Sequence, residues 1–229
     1  MFDHTSDSRY LLPSLLAADA ADFGGSVRAV EEGGAHALHL DIMDGHFVPN
    51  LSYGPHICRC LSRITRLPLD VHLMVTNPER FVKPFLEAGA TGITVHLESD
   101  CPDLPGLLAT IREEGALVGL SIKPKTAVEA VLPYLPLVDM VLLMTVEPGY
   151  GGQAFIPESL ERIAALRGLL DAHKPGCLIE LDGGIGADNI VQCAVLGAEA
   201  LVAGSACFGT TEEETVQKTQ QLAALLRQA

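Results

Sequence analysis

The chain has 229 residues, of which 48% are hydrophobic, and its formal net charge is −14. This composition supplies enough apolar side chains for a full core, whereas an acidic surface repels phosphate backbones and anionic lipids. We therefore expect neither a nucleic-acid partner nor a membrane partner. A small phosphorylated ligand stays compatible with this charge, because neutral backbone amides can hold a single phosphate group.

The N-terminal residues and the cysteines bear on the cellular location. The first ten residues, "MFDHTSDSRY", have neither the basic start nor the apolar run of a secretory signal. No stretch approaches the ~18 apolar residues of a membrane-spanning helix. The six cysteines form no CxxC pair and have no regular spacing, which is typical of reduced thiols that pack as small hydrophobic side chains. These features predict a cytoplasmic protein.

Short β-like runs alternate with amphipathic helical patterns along the chain, and each pair takes roughly 25 to 30 residues. The predicted strands are 10–16, 37–43, 69–75, 91–97, 116–122, 139–146, 177–183 and 200–204. The predicted helices are roughly 20–33, 55–63, 78–88, 103–114, 126–134, 157–172, 187–196 and 211–228. Eight βα units without an intervening linker favour a closed (β/α)8 barrel that forms a single α/β domain, 1–229. The alternative is an open doubly wound sheet, which more usually has six or fewer strands.

Polar side chains alternate with aliphatic ones along the second predicted strand, "ALHLDIM", and along the third, "LDVHLMV". With a period of two residues, the polar side chains share one face of each strand, and in a barrel this face points inward. Active sites of such barrels form at the carboxyl ends of the strands, so these side chains converge on one mouth. The predicted inward-facing residues are His39, Asp41, Met43, Asp70, His72, Met74, Met144, Glu180 and Asp182.

Four of these residues, His39, Asp41, His72 and Asp182, have the chemistry of a metal site. Neutral imidazole and carboxylate ligands suit Zn²⁺, Fe²⁺, Mn²⁺ or Co²⁺, and without a cysteine ligand the choice among these ions stays open. A single inward histidine is more often a hydrogen-bonded core residue. Four unpaired polar groups at one depth would be costly without a cation, however, and the pattern therefore predicts one divalent metal ion per subunit.

Methionines and glycines surround this predicted site. Met43, Met74 and Met144 lie at strand ends, where they either fill the core or exclude water above a reactive intermediate. Glycine clusters follow the sixth, seventh and eighth strands, and such loops let backbone N–H groups approach an anion closely. Because lysine and arginine are scarce in these loops, we expect backbone amides to bind a phosphate group. The clusters contain Gly149, Gly151, Gly152, Gly183, Gly184, Gly204 and Ser205.

The segments that carry these residues together resemble the ribulose-phosphate 3-epimerase family. They are "HLDIMDGHFVPN", "DVHLMV", "MTVEPGYGGQ", "LDGGI" and "AGSACF", with "PSLLAAD" near the start of the chain. The resemblance covers roughly 10–208 and leaves 1–9 as a polar N-terminal extension. It implies a (β/α)8 barrel of the ribulose-phosphate-binding type, a homo-oligomer, and an isomerase that interconverts D-ribulose 5-phosphate and D-xylulose 5-phosphate.

The resemblance also implies roles for individual residues. The family's metal ligands correspond to His39, Asp41, His72 and Asp182, and its acid–base pair corresponds to Asp41 and Asp182. Sugar-contacting positions correspond to Ser14 and His72, and the methionines over the intermediate to Met43, Met74 and Met144. Further substrate and phosphate contacts correspond to Gly149, Tyr150, Gly151, Gly152, Asp182, Gly183, Gly184, Gly204 and Ser205.

Epimerisation beside a ketone needs a base that removes a proton from C3 and an acid that delivers one on the opposite face. Asp41 and Asp182, on the well-separated second and seventh strands, can flank the substrate and exchange these roles in the reverse direction. A divalent cation at the site would stabilise the negative charge that the enediolate intermediate carries on oxygen.

Three alternative functions stay open at this point. A sister 3-epimerase that acts on D-allulose 6-phosphate would carry nearly the same motifs. A lyase of the phosphate-binding barrels would need a lysine among the strand aspartates, whereas we expect Lys123 and Lys125 to lie in a loop without a nearby acid. A sugar-phosphate-binding regulator would have little need of two opposed carboxylates.

Overall fold

The computed structural model describes residues 9–229, so the predicted polar extension, 1–9, lies outside the described residues except for Arg9. The strands are β1 (Tyr10–Pro13), β2 (Leu38–Met43), β3 (Leu69–Met74), β4 (Gly92–His96), β5 (Leu117–Ile122), β6 (Met140–Met144), β7 (Leu178–Asp182) and β8 (Ala200–Ala203). All eight are parallel neighbours in one sheet, in the order β1-β8-β7-β6-β5-β4-β3-β2. A parallel bridge between Ser14 and His39 joins the two ends of this order, so the sheet forms a nearly closed barrel.

Helices connect the strands and pack around the sheet. The α-helices are α1 (Phe23–Glu32), α2 (Pro55–Leu61), α3 (Val82–Glu87), α4 (Leu104–Glu113), α5 (Ser159–His173), α6 (Ile190–Val195) and α7 (Glu212–Leu226). Shorter 3-10 helices cover Leu15–Ala17, Ala20–Asp22 and Pro78–Arg80. Within 9–229, none of the helices combines the length and the apolar character that crossing a membrane requires. The predicted (β/α)8 barrel is confirmed, with several elements shorter than expected.

The connection between β5 and β6 is not the α-helix that was predicted over 126–134. It is a 3-10 helix, Val128–Leu137, that contains Pro133 and Pro136. Each proline lacks an N–H donor, and its ring clashes with a carbonyl of the preceding turn, so an α-helical hydrogen-bond ladder cannot run through this segment. The Nζ atom of Lys174 donates to the carbonyls of Leu135 and Val138 and satisfies the end of the 3-10 helix.

The strand alternation separates two apolar regions from one polar region. Outward-facing residues such as Leu38, Leu40 and Ile42 pack in the large core between the sheet and the helices. Inside the barrel, residues at the first positions of the strands, such as Tyr10 and Met140, form a smaller apolar cluster. The polar side chains of β2, β3 and β7 therefore occupy the interior toward the carboxyl ends of the strands.

The buried aromatic ring on α3 provides a test of this packing. Phe85 is completely buried in the core between sheet and helices, and Phe85→Ala should lower the free energy of unfolding by about 3–5 kcal/mol, since it leaves a cavity. Val195 on α6 is 69% exposed, and the control Val195→Ala should change that free energy by less than ~0.5 kcal/mol. Urea denaturation measures both values, and equal effects of the two substitutions would contradict this description of the core.

Candidate active site

A cavity open to solvent lies at the carboxyl ends of the strands. It brings together almost all residues that the sequence assigned to substrate, phosphate or shielding roles. The predicted residues that line it are Ser14, Asp41, Met43, Met74, Met144, Gly149, Tyr150, Gly151, Gly152, Asp182, Gly183, Gly184, Gly204 and Ser205. His72 is the exception, because it is completely buried beneath the cavity and does not line it.

Four side chains meet at the floor of this cavity. One ligand atom from each of His39, Asp41, His72 and Asp182 lies within 4.8 Å of the others. Asp41 Oδ1 is 3.5 Å from His39 Nε2 and 3.5 Å from His72 Nδ1. Asp182 Oδ2 is 3.4 Å from His72 Nδ1 and 4.0 Å from His39 Nε2. We call these four residues the upper cluster.

Two buried imidazole nitrogens of the upper cluster are available to bind a cation. Within 9–229, the buried atoms His39 Nε2 and His72 Nδ1 have no hydrogen-bond partner, and an unpaired buried polar atom is costly. Both nitrogens face the same two carboxylate oxygens, and together these four atoms form the mixed nitrogen and oxygen ligand set of divalent transition metals. The upper cluster could therefore hold a metal ion, although its atoms do not identify which ion.

The carboxylates of the upper cluster favour positive charge beside them, either as a bound cation or as protons on the imidazoles. Burial by itself lowers the pKa of His72, but the nearby carboxylates of Asp182 and Asp41 outweigh it and raise the pKa to about 9. Burial also disfavours the charged form of His39, yet Asp41, Asp70 and Glu180 raise its pKa well above the ordinary value. In the absence of a cation, the imidazoles would hold protons in its place.

Ser14 positions one of the two carboxylates. Its Oγ donates to Asp41 Oδ2 at 2.5 Å and accepts from the backbone N–H of Leu16 at 3.3 Å. The second bond caps the 3-10 helix Leu15–Ala17, and for this reason β1 ends at Pro13 instead of continuing to residue 16 as predicted. Burial raises the pKa of Asp41, but the neighbouring His39 and His72 reverse this and lower it far below the usual range.

A second polar layer lies directly under the upper cluster. His39 Nδ1 is 2.7 Å from Asp70 Oδ2 and 3.3 Å from Glu180 Oε1, and all three side chains are fully buried. Burial and the charge of Asp70 raise the pKa of Glu180 to about 8, so Glu180 is protonated near neutral pH. The alternation of β3 and β7 predicted that Asp70 and Glu180 face inward, but it assigned no role to either residue.

Two residues of the site were missed by the sequence analysis. His96, the last residue of β4, places its Nε2 atom 2.9 Å from Nε2 of His72, and its Nδ1 atom is 3.3 Å from Oε2 of Glu98. Burial lowers the pKa of His96 to about 4, so this ring is neutral near neutral pH. The alternation in "GITVH" already places His96 on the inward face with Thr94, and this was the signal that could have found it.

The glycine loops form the other end of the cavity. Gly183 and Gly184 have φ angles of +122° and +66°, which side chains with a Cβ atom rarely adopt. A Cβ at Gly183 would lie 2.4 Å from a methyl of Val146, and one at Gly184 would lie 2.5 Å from the backbone nitrogen of Phe155. Among the described residues, no lysine or arginine lines the cavity, which leaves backbone amides as the groups available to an anion.

Two loops from opposite sides of the barrel meet across the rim of the cavity. Asn50, after β2, donates from Nδ2 to the carbonyl of Gly149, after β6, at 2.8 Å. The hydroxyl of Tyr150 donates to the carbonyl of Pro49 at 2.9 Å. Tyr150 is 55% exposed, so its ring lies at the rim and its hydroxyl already has a partner. The methionine side chains of Met43, Met74 and Met144 are buried under this rim.

Solved structures with low sequence identity share this fold. A thiamine phosphate pyrophosphorylase from Pyrococcus furiosus superimposes with a TM-score of 0.66 at 19% identity, with 98% of each chain covered. A mutant tryptophan synthase α-subunit from the hyperthermophile Pyrococcus furiosus superimposes with a TM-score of 0.71 at 18% identity, covering 97% of this chain and 99% of the other. At these identities the likeness establishes the barrel alone.

Sequence comparisons are more specific than the structural ones. The profile of the ribulose-phosphate 3 epimerase family matches residues 10–208. The ribulose-phosphate 3-epimerase of Mycobacterium tuberculosis is 46% identical over 220 residues, covering 96% of this chain and 92% of that protein. The ribulose-phosphate 3-epimerase of Aquifex aeolicus is 41% identical over 221 residues, covering 96% of this chain and 98% of that protein. The chain therefore belongs to the ribulose-phosphate 3-epimerase family.

Proposed function

We propose that this chain is a metal-dependent ribulose-phosphate 3-epimerase, which interconverts D-ribulose 5-phosphate and D-xylulose 5-phosphate by proton transfer at C3. The proposal rests on one observation: Asp41 and Asp182 converge on two buried imidazoles at one end of a cavity whose other end is formed by glycine loops. Relatives named for this reaction are 41–46% identical over nearly the whole chain, which supports the same conclusion.

The cavity can orient a sugar phosphate by its two ends. Backbone N–H groups of the loops that contain Gly183, Gly184, Gly204 and Ser205 would bind the phosphate group. The carbon chain then extends toward the floor of the cavity and places C3 beside the aspartates. Holding both ends of the substrate in one geometry lowers the entropic part of the barrier to proton transfer.

The aspartates carry out the proton transfers. One carboxylate removes the proton from C3 and becomes a carboxylic acid, while the electron pair of the broken C–H bond moves onto the substrate oxygen. The other aspartate, protonated at the start, delivers its proton to C3 from the opposite face. No electrons leave the substrate, and the two aspartates have exchanged protonation states at the end of the reaction. The hydrogen bond from Ser14 keeps Asp41 in a fixed orientation during these steps.

The upper cluster would hold one divalent ion, with Zn²⁺, Fe²⁺, Mn²⁺ and Co²⁺ as candidates. His39 Nε2, His72 Nδ1, Asp41 Oδ1 and Asp182 Oδ2 are the atoms available to it. When bound, such an ion supplies positive charge beside the oxygens on which negative charge develops. Met43, Met74 and Met144 surround the reacting carbons with apolar groups, which excludes water that would protonate the intermediate on either face.

The two lysines that were considered for a lyase mechanism, Lys123 and Lys125, lie outside the cavity. Lys123 Nζ lies 3.7 Å from the centre of the Phe47 ring. Lys125 Nζ is 3.8 Å from Glu147 Oε1, so the expectation that it has no nearby acid is wrong. Neither lysine lines the cavity, and the cavity thus favours the epimerase over a lysine-dependent lyase.

We also infer a cytoplasmic enzyme, because all six cysteines lie in the described residues and all six are free thiols, as in a reducing compartment. The homo-oligomer that family resemblance implies stays a prediction, and size-exclusion chromatography with light scattering would determine the state.

The two-base scheme predicts the effect of neutralising each aspartate. Asp41→Asn and Asp182→Asn should each lower kcat for D-ribulose 5-phosphate by about 10²–10⁴-fold, since an amide can neither accept nor deliver the C3 proton. Asp188, which is exposed in the loop after β7, provides the control Asp188→Asn with unchanged kcat. Circular dichroism would verify that the variants fold, and near-normal turnover of either active-site variant would refute the scheme.

The raised pKa of His72 predicts how metal removal changes stability with pH. In metal-free protein this pKa is about 9, against about 6.5 for an unfolded histidine. The stabilisation is therefore complete below about pH 6.5 and is lost as pH rises through 9. Thermal unfolding should show a falling Tm over this range for chelator-treated protein and a smaller fall for protein reloaded with Zn²⁺, because the ion replaces the protons.

Comparing chelator-treated protein with Zn²⁺-reloaded protein isolates the contribution of the imidazoles to the pH dependence of Tm. The stabilisation linked to the proton on Glu180, whose pKa is raised to about 8, is lost over an overlapping pH range in both the metal-free and the Zn²⁺-loaded protein. Identical pH profiles with and without Zn²⁺ would contradict metal binding at the upper cluster. Reloading the same stripped protein with Zn²⁺, Fe²⁺, Mn²⁺ and Co²⁺ in turn, followed by an epimerase assay, identifies the activating ion.

Relatives named ribulose-phosphate 3-epimerase are 41–46% identical to this chain, and this similarity favours the five-carbon substrate. With its phosphate at the glycine loops, D-allulose 6-phosphate has one more carbon between phosphate and C3, which displaces C3 from the aspartates. We expect kcat/KM for D-ribulose 5-phosphate to be higher by roughly tenfold or more. Parallel assays of both sugars decide the point, and a reversed ratio would assign the chain to the six-carbon reaction.

A further inference from the structure

A chain of buried side chains leads away from the upper cluster through His72. The ring nitrogens Nε2 of His72 and Nε2 of His96 are 2.9 Å apart, and both side chains are completely buried. Nδ1 of His96 then lies 3.3 Å from Oε2 of Glu98. The other oxygen of this carboxylate, Oε1, accepts from the backbone N–H of Lys123 at 2.8 Å and from the hydroxyl of Thr126.

The positions of the hydrogens along this chain follow from the donors and acceptors available. The Glu98 carboxylate only accepts hydrogen bonds, so His96 must donate to it from Nδ1. A neutral His96 ring then has a lone pair on Nε2, and only one hydrogen fits between the two facing Nε2 atoms. That hydrogen belongs to His72, so a neutral His72 ring has none on Nδ1, the atom that points at Asp41 and Asp182.

We propose that Glu98 and His96 are positioning residues, which hold His72 in the tautomer whose Nδ1 atom is free to bind a cation. This inference rests on the proposed metal site and extends it by two residues that do not contact the ion. It makes the two histidines of the upper cluster equivalent, because His39 has the carboxylate of Asp70 behind its other nitrogen at 2.7 Å. For His72 the carboxylate acts through a second imidazole ring.

The carboxylate at the far end of the chain is itself held in place. Arg162 on α5 donates from Nη2 to the carbonyls of Lys123 at 3.0 Å and Thr126 at 2.8 Å. These bonds fix the two residues that donate to Glu98 Oε1. The Lys123 donor is a backbone N–H, which cannot become an acceptor, so the atom at the Oε1 position must be an oxygen.

This constraint makes Glu98→Gln a test of proton placement. The amide must place its oxygen toward the Lys123 N–H, which puts its NH2 group against His96 Nδ1. The hydrogens of the chain then reverse: His96 donates to His72, and His72 carries its hydrogen on Nδ1, where the cation would bind. Glu98→Ala removes the carboxylate without imposing this reversed order, although it leaves the Lys123 N–H without its partner.

Zn²⁺ affinity measured by competition with a chromophoric chelator distinguishes positioning from simple packing. We expect Glu98→Gln to weaken Zn²⁺ binding about 10–100-fold and Glu98→Ala to weaken it less, while Glu98→Ala lowers Tm more. If Glu98 had a purely structural role, the variant with the lower Tm would also be the variant that binds Zn²⁺ more weakly. Glu129→Gln, an exposed position in the neighbouring 3-10 helix, is the matched control and should leave both values unchanged.

A measurement on the unmodified protein gives a second test, which does not depend on the folding of variants. In Zn²⁺-loaded protein with ¹⁵N-labelled histidine, NMR should find the ring hydrogen of His96 on Nδ1 and that of His72 on Nε2. A hydrogen on His96 Nε2, or an affinity of Glu98→Gln within about threefold of the parent, would overturn the positioning role alone. If the parent protein fails to bind Zn²⁺, the proposed metal site is wrong as well.

Discussion

Four carboxyl groups surround two imidazole rings in the interior of the barrel, and this concentration of negative charge requires compensation. Asp41 and Asp182 face the cavity, while Asp70 and Glu180 lie one layer deeper. Carboxylates cannot be buried together without positive charge or protons, because removing each from water costs several kcal/mol. The interior meets this requirement in two ways, with a proton on Glu180 and with positive charge at the upper cluster.

The same barrel separates stability from chemistry along its axis. At the amino ends of the strands, the interior is filled by apolar side chains such as Tyr10, Leu12 and Met140. At the carboxyl ends, the side chains are polar and the loops rich in glycine. Substitutions at the first end act through packing, whereas those at the second act on binding and proton transfer.

Much of the site could be predicted because a strand imposes a two-residue period. Once "ALHLDIM" and "LDVHLMV" are assigned as strands, the inward direction of His39, Asp41 and His72 follows without knowledge of any distance. His96 obeys the same rule but was overlooked, since a single histidine in "GITVH" has no polar neighbour at a spacing of two apart from Thr94. Glu98 was beyond prediction, because its partners Lys123 and Thr126 lie in the loop after the neighbouring strand β5, and strand alternation contains no information on contacts between loops.

The type of the helix between β5 and β6 and the end of β1 were less predictable than the inward direction of the strand residues. The apolar period over 126–134 is compatible with an α-helix, and only the missing N–H groups of Pro133 and Pro136 exclude it. β1 ends just before Ser14, whose Oγ caps the following 3-10 helix and donates to Asp41 on β2. Local patterns contain no information on such contacts.

In the part of the chain that the structure describes, no lysine or arginine lines the cavity, and this has a kinetic consequence for an enzyme with a formal net charge of −14. Backbone dipoles act on a phosphate only at short range, whereas the net charge of the protein repels a dianionic sugar at long range. Dissolved ions screen this repulsion beyond a Debye length of about 8 Å at physiological ionic strength. Substrate capture therefore accelerates as salt is added, the opposite of what a lysine-lined phosphate pocket would show.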